Sequence, residues 1–332
     1  MTEKEKNLKD LDELFKAGML NVDDYAFQRE QLKDEMARES GQAVSVPPPI
    51  QQETTSPSLE AAVPPPLPAT KPVNSLGCEM VHVPGGSFQM GDTAGGGEDD
   101  EEDDDNEEPV HKVKLSAFSI GKYEVTQALY ESVMGNNPSK FRCGDLPVEN
   151  VTWYAAVEFC NKLSEKEGVQ PVYTIRGRSP ATGYPITRAT VTIDWSKNGY
   201  RLPTEAQWEY AAKGGNGSPG NYTYAGSNDV NNVAWYKDNS GNTSHAVGTK
   251  APNGLGIYDM SGNVFEWCWD WYGDYSSGAQ TNPVGASSGS LRVLRGGNWC
   301  NPELNARSSY RNAGNPSSRF NSMGFRVLRP AQ

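Results

Sequence analysis

Apolar residues fall at helical spacing in three stretches of the chain. Near the start, Leu8, Leu11, Leu14 and Phe15 mark one short helix and Tyr25, Leu32 and Met36 a second; Gly18 breaks the first and Asn21 is placed to cap the second. A hairpin of that size buries too little area to stand alone, so its apolar face is expected to meet another copy or a partner. In TWYAAVEFCNKLSE, Ala155, Ala156, Phe159 and Leu163 predict a helix that buries one stripe. Farther on, Thr204 and Gln207 have the spacing of a capping box, and Trp208 and Ala211 follow on one face. LRVLRGGNW and GFRVLR are rich in Val and Leu and read as strands.

Between hairpin and strands the composition changes. Residues 40–75 run to Pro, Ser, Thr, Gln and Ala, with proline triplets at Pro47–Pro49 and Pro64–Pro66, which describes a semi-extended spacer. Globular sequence begins near Leu76. The expected organisation is therefore a hairpin over 1–39, a linker over 40–75 and one domain over 76–332, without internal repeats.

Charge alters this picture less than the net value of −12 suggests. Ten acids lie in EDDEEDDDNEE, Glu98–Glu108, and without them the balance is −2. The folded body then carries no basic footprint for nucleic acid. The acidic run lacks the alternate spacing and internal glycine of a calcium loop and is expected to be a solvated loop. Five cysteines, Cys78, Cys143, Cys160, Cys268 and Cys300, contain no CxxC pair and read as free thiols. No apolar run reaches the roughly 18 residues of a membrane span, and the charged MTEKEKNLKDLDELF is unlike a secretory signal, so cytoplasmic residence is the default expectation.

Two resemblances add to these readings. LKDLDELFKAGMLNVDDYAFQREQLKDEM resembles the SHOCT helical-hairpin module, which implies oligomerisation or tethering. VPGGSFQMG, YEVTQALYESVMGNNPS, PVENVTWYAAVEFCNKLSE, YRLPTEAQWEYAAKGG, NGLGIYDMSGNVFEWCWDWY, LRGGNW and GFRVLR together resemble, in order, the formylglycine-generating-enzyme family, the sulfatase-modifying-factor domain. That resemblance implies an α+β, C-type-lectin-like fold with a small antiparallel sheet, two to three helices and long ordered loops. It also implies a structural calcium at Asp259, Gly262, Val264 and Glu266, with Asp259 in place of the commoner Asn; otherwise the loop is held by Asn263 and Glu266 on backbone amides.

Catalysis fares worse. Oxidases of the family hold copper between two cysteines of a C-terminal GGSxxCxxxYCxRYR phrase, and one sulfur cannot hold Cu(I) in linear coordination. Here the phrase is GGNWCNPELNARSSYR: Cys300 is displaced and the second cysteine is missing. No copper is expected. His82, His111 and His245 are isolated, and no P-loop, nucleophile elbow or HExxH is present.

The last stretch, Leu294–Arg329, resembles the variable region of proteins diversified by retroelements, in which adenines of AAY codons are mutated. The fixed scaffold would be Leu294, Arg295, Gly296, Gly297, Trp299, Arg307, Arg311, Arg319, Gly324, Phe325, Arg326 and Val327. The variable, ligand-binding positions would be Cys300, Asn301, Pro302, Leu304, Asn305, Tyr310, Asn312, Ala313, Gly314, Ser318, Phe320 and Ser322. Lys, Glu, Gln, Met and Trp cannot be reached from AAY at its adenines, and none occurs in that set; Glu303 and Met323 are then taken as fixed. The expectation is a non-catalytic binder of an unidentified protein or other macromolecule. The alternatives are an inactive scaffold and a copper-dependent oxidase of protein cysteine. Trp299 and Phe325 should be buried, Arg307 and Arg326 should bond backbone carbonyls, and Asn301, Leu304, Tyr310, Asn312, Phe320 and Ser322 should be exposed on one face.

Overall fold

The computed structural model describes residues 76–93, 106–215 and 221–331, together with positions 8, 9, 12, 29, 33 and 36. Those six positions are all helical, and Arg29 lies 3.5 Å from Asp12. The rest of the expected hairpin and the linker fall outside the described residues. Among the described residues no helix is long and apolar enough to cross a membrane.

The domain is α+β, with few helices and small sheets. Its strands are β1 (Met80–Val83), β2 (Gly86–Met90), β3 (His111–Leu115), β4 (Phe118–Gly121), β5 (Tyr173–Ser179), β6 (Arg188–Ile193), β7 (Ala234–Trp235), β8 (Ser261–Gly262), β9 (Phe265–Trp271), β10 (Gln280–Thr281), β11 (Arg292–Arg295), β12 (Arg311–Gly314), β13 (Met323–Gly324) and β14 (Leu328–Pro330). Three helices carry most of the remaining packing: α1 (Gln127–Met134), α2 (Trp153–Lys166) and α3 (Glu205–Ala212). The first and last strands of the domain, β1 and β14, both pair antiparallel with β4, which closes the domain near its ends.

The expected helices form for the expected reasons. In α2, Ala155, Ala156, Phe159 and Leu163 are fully buried, and Thr152 caps the start through the amide of Ala155. The capping box of α3 is complete: the Thr204 hydroxyl accepts from the Gln207 amide while Gln207 accepts from the Thr204 amide. Every residue of α3 is buried, however, so its polar side chains, too, must find partners inside the protein.

The sheet that matters most has the order β12–β11–β9–β13. Strand β11 runs antiparallel to β9 and β12, and β13 runs parallel to β9. The C-terminal segment therefore supplies both edges of a sheet whose centre it also begins. Residues 315–322 must cross a face of β11 and β9 to pass from one edge to the other. Phe320 packs in the same core cluster as Trp267, Leu294 and Phe325.

A face held by its main chain

Four arginines fix the C-terminal segment, each through its own glutamate. Arg295 of β11 reaches Glu209 at 2.5 Å, and Arg311 of β12 holds Glu205 at 2.6 and 2.9 Å. Arg307 holds Glu107 at 2.7 and 2.9 Å, and Arg326 holds Glu266 at 2.6 and 2.7 Å. Arg295 and Arg311 are direct cross-strand neighbours, a pairing that like charge disfavours. Glu205 and Glu209, one turn apart on α3, neutralise them. Burial opposes the charge on Glu205, but Arg311 and then Arg295 more than offset it and hold the carboxyl below its ordinary range. For Glu107, burial outweighs Arg307 and the carboxyl is raised.

Glu205 and Glu209 were not expected as partners, and Glu107 and Glu266 were expected in other roles. Arg307 and Arg326 do bond carbonyls, of Leu304 and of Gly121 and Tyr258, but their main partners are acids. Glu107 also corrects the reading of the acidic run as solvated throughout: it is buried, and Arg311 takes the carbonyl of Asn106 at 2.6 Å. The i, i+4 spacing of Glu205 and Glu209 in a capped helix was the one available signal.

Between the anchors, the chain is pinned by main-chain atoms. Ser240 Oγ donates to the Trp299 carbonyl at 2.6 Å, and Ser261 Oγ to that of Ala306 at 2.7 Å. The amide of Lys237 donates to the Asn301 carbonyl, and the amide of Ser308 to that of Thr223, both at 2.9 Å. Arg295 adds bonds to the carbonyls of Ser308, Ser309 and Tyr310. At Gly297, whose φ is +71°, a Cβ would lie 2.5 Å from the Asn305 carbonyl, so only glycine admits this approach.

Side chains of the segment are less well served. Both amide atoms of Asn301, the hydroxyls of Ser308 and Ser318, and the Nδ2 of Asn321 are buried without a hydrogen-bond partner. Asn301 and Asn321 lie next to Trp299, which is fully buried and donates to the Asn321 carbonyl at 3.1 Å. Phe325 is fully buried too, edge-on to Tyr130 and Phe159.

The expected common exposed face is corrected. Of its six residues only Leu304, 38% accessible, is exposed; Tyr310 is half-buried, and Asn301, Asn312, Phe320 and Ser322 are buried. The cause is the crossing of 315–322 over the sheet and the placement of 311–314 on its edge. Cys300, Asn305, Ala313, Gly314 and Ser318 are also buried, and Pro302 is half-buried. At Gly314 a Cβ would lie 2.7 Å from the Trp267 ring, and Ala313 belongs to the core. Of the scaffold arginines, Arg319 is half-buried and sits over Tyr184.

The expected calcium set does not fit a calcium ion. Arg326 takes both oxygens of Glu266, and Trp208 Nε1 adds a bond at 2.8 Å. The Asp259 carboxylate accepts from the Gly248 amide at 2.7 Å, and Arg326 also reaches the Asp259 carbonyl. The Gly262 amide donates to the Gly296 carbonyl and that of Val264 to Glu124. A guanidinium thus supplies the positive charge here. Burial pushes Asp259 up to about 6 and, with the charges of Asp259 and Glu266, raises Glu124 well above the carboxylate range.

Cys300 packs with Val264, Trp299 and Phe141, a cluster holding no second cysteine, and its Sγ lies 2.9 Å from Asn298 Oδ1. None of the five cysteines is in a disulfide.

The fold and this segment define a C-type-lectin-like domain of the formylglycine-generating-enzyme type. The family described as "Sulfatase-modifying factor enzyme 1-like domain" matches residues 65–331, and the chain belongs to it. Among solved structures, Treponema denticola variable protein 1 is similar with a TM-score of 0.70 and 36% identity, covering 80% of this chain and 100% of that one. The chaperone protein LppX of Paenibacillus barcinonensis is 42% identical over 65% of this chain and 81% of its own length. The formylglycine-generating enzyme of Streptomyces coelicolor is 31% identical over 82% of this chain and 95% of its own.

Proposed function

We propose that this chain is a non-catalytic ligand-binding protein whose C-terminal segment is diversified by a retroelement. The observation that carries the proposal is the way residues 299–310 are held. Their main-chain atoms bond Ser240, Ser261, Lys237, Thr223 and Arg295, all outside the stretch. Such bonds do not depend on side-chain identity, so composition can change while the path of the chain is kept. The unpartnered atoms of Asn301 and Ser318 support the same reading, because replacing them breaks no hydrogen bond. The packed positions Ala313, Gly314 and Phe320 support it less, and the binding set narrows to the accessible Pro302, Leu304 and Tyr310. Likeness to a variable protein and to a chaperone supports binding over chemistry. The enzyme relatives favour the opposite, but Cys300 lacks the second thiol that copper chemistry needs.

The encoding genome tests the proposal. A near-identical repeat of the last hundred or so bases, differing mainly at adenines and lying beside a reverse-transcriptase gene, is the expected finding. Its absence would leave an inactive scaffold as the better reading.

A further inference from the structure

A cavity of about 350 Å³ opens between the start of α3, strand β3 and the loop from Trp271 to Ala286. Met90, Pro283 and Val284 give it aliphatic walls, and four buried ionisable side chains, His111, Glu205, Asp270 and Arg311, reach it from three directions. Arg311 and Glu205 are largely spent on each other and on their neighbours: two further Arg311 donors go to the carbonyls of Asn106 and Gly273, and Tyr275 donates to Glu205 at 3.1 Å. The other two side chains, each only 3% accessible, keep one free atom apiece.

His111 Nδ1 lies 3.0 Å from the carbonyl of Pro109, which can only accept. In the neutral ring the proton is therefore on Nδ1, and Nε2 is an acceptor with no partner among the described residues. Asp270 Oδ2 accepts the amide of Glu205 at 2.8 Å, while Oδ1 has no hydrogen-bond partner among the described residues. The cavity thus offers two unused acceptors, one remaining N–H of Arg311, and aliphatic walls. The charges of Glu205 and Arg311 cancel, and Arg292 opposes the charge of Asp270 through space, with no hydrogen bond to it among the described residues.

We propose that this cavity binds a primary alkylammonium group, with Asp270 and His111 accepting from the nitrogen and Met90 and Val284 enclosing the carbon chain. A metal fits less well, since the described residues include no group of three metal-ligating side chains. The site is separate from the C-terminal binding positions and stands or falls independently of them.

Protonation gives the site a signature. Burial, followed by the charge of Glu205, pushes Asp270 up to about 7, against the pull of Arg292 on β11 and Arg311 on β12. His111 on β3, Tyr275 and the exposed Asp274 complete the titratable groups facing the cavity. A cation binds the ionised carboxylate, so affinity must rise as pH climbs through that value, by up to about tenfold per unit for one coupled proton.

Calorimetry on the full chain with n-butylammonium chloride, and with n-butanol as the neutral control, tests this. Saturable binding of the ammonium alone is expected, about thirtyfold tighter at pH 8 than at pH 5.5 and weakened at least about tenfold by Asp270→Asn. Val284→Lys changes an exposed rim residue, keeps the fold, and should abolish binding by placing its own ammonium at the mouth. Nα-acetyl-lysinamide binding tighter than butylammonium would assign the group to a polypeptide side chain, and weaker binding to a free amine; both uphold the site. Absence of saturable binding at pH 8, equal binding of butanol, or binding unchanged in a folded Val284→Lys variant would overturn it.

Discussion

Arg307 holds the carboxylate of Glu107 with two hydrogen bonds, at 2.7 and 2.9 Å, across 200 residues of chain. The pair joins the end of the acidic run to the segment that carries the proposed binding positions. Asp92, on the other side of that run, stands 3.5 Å from the same guanidinium, and its amide donates to the Glu107 carbonyl.

Breaking this pair from the arginine side leaves a buried carboxylate without its ion-pair partner. Arg307→Met is expected to lower stability by about 3 kcal/mol at neutral pH. Glu107 already lies above its ordinary value because of burial, and losing Arg307 raises it further. The folded variant then keeps a proton that the unfolded chain releases, so its deficit must grow as pH rises from about 5 to 8. Denaturant melts across that range check the slope; a deficit that shrinks with pH contradicts it.

Glu205 should behave in the opposite way. Its folded carboxyl is held below the ordinary value, so the pair with Arg311 stabilises above the unfolded value of roughly 4.3 and is lost as pH falls through the folded one. Glu205→Gln should cost about 3 kcal/mol at pH 7, and the gap to the parent should close below about pH 4. Acid titrations followed by circular dichroism measure this directly.

Gly314 carries no strained backbone, yet its neighbours leave no room. Gly314→Val would press a side chain into the Trp267 ring and Leu294, and should cost about 1–3 kcal/mol by overpacking. If the melting temperature is unchanged, the segment is looser here than the packing implies.

No oxidase activity is expected. Protein loaded with Cu(I) and offered a Cys-x-Pro-x-Arg peptide should leave the thiol intact, as read by mass spectrometry. Aldehyde formation that depends on Cys300 would reverse the assignment.

Local pattern made helices α2 and α3, the Thr204–Gln207 capping box, the strands around Val293 and Leu328 and the burial of Trp299 and Phe325 legible in the sequence. It could not show that residues 311–314 and 323–324 occupy opposite edges of one sheet, and that topology is what buries Phe320 and Asn312. Nor could it match the arginines to their acids. Arg295 and Glu209 are 86 residues apart, and Arg326 and Glu266 are 60 apart, so nothing local links them. The partner of Glu266 was hidden for the same reason: DMSGNVFEW supplies oxygens, and the guanidinium of Arg326 that claims Glu266 comes from elsewhere in the chain.

Residues 299–310 are held by main-chain atoms, and melting temperatures of two variants test this most directly. In one, Asn301, Pro302, Leu304 and Tyr310 become Ser and Ser318 becomes Ala; in the other, only Trp299 becomes Ala. The five-fold change should cost about 2–3 kcal/mol in total, and the single Trp299→Ala more, about 3–5 kcal/mol. A five-fold variant that melts above Trp299→Ala is the predicted result. One that melts below it, or fails to fold, would show that these side chains and not the main chain hold the segment.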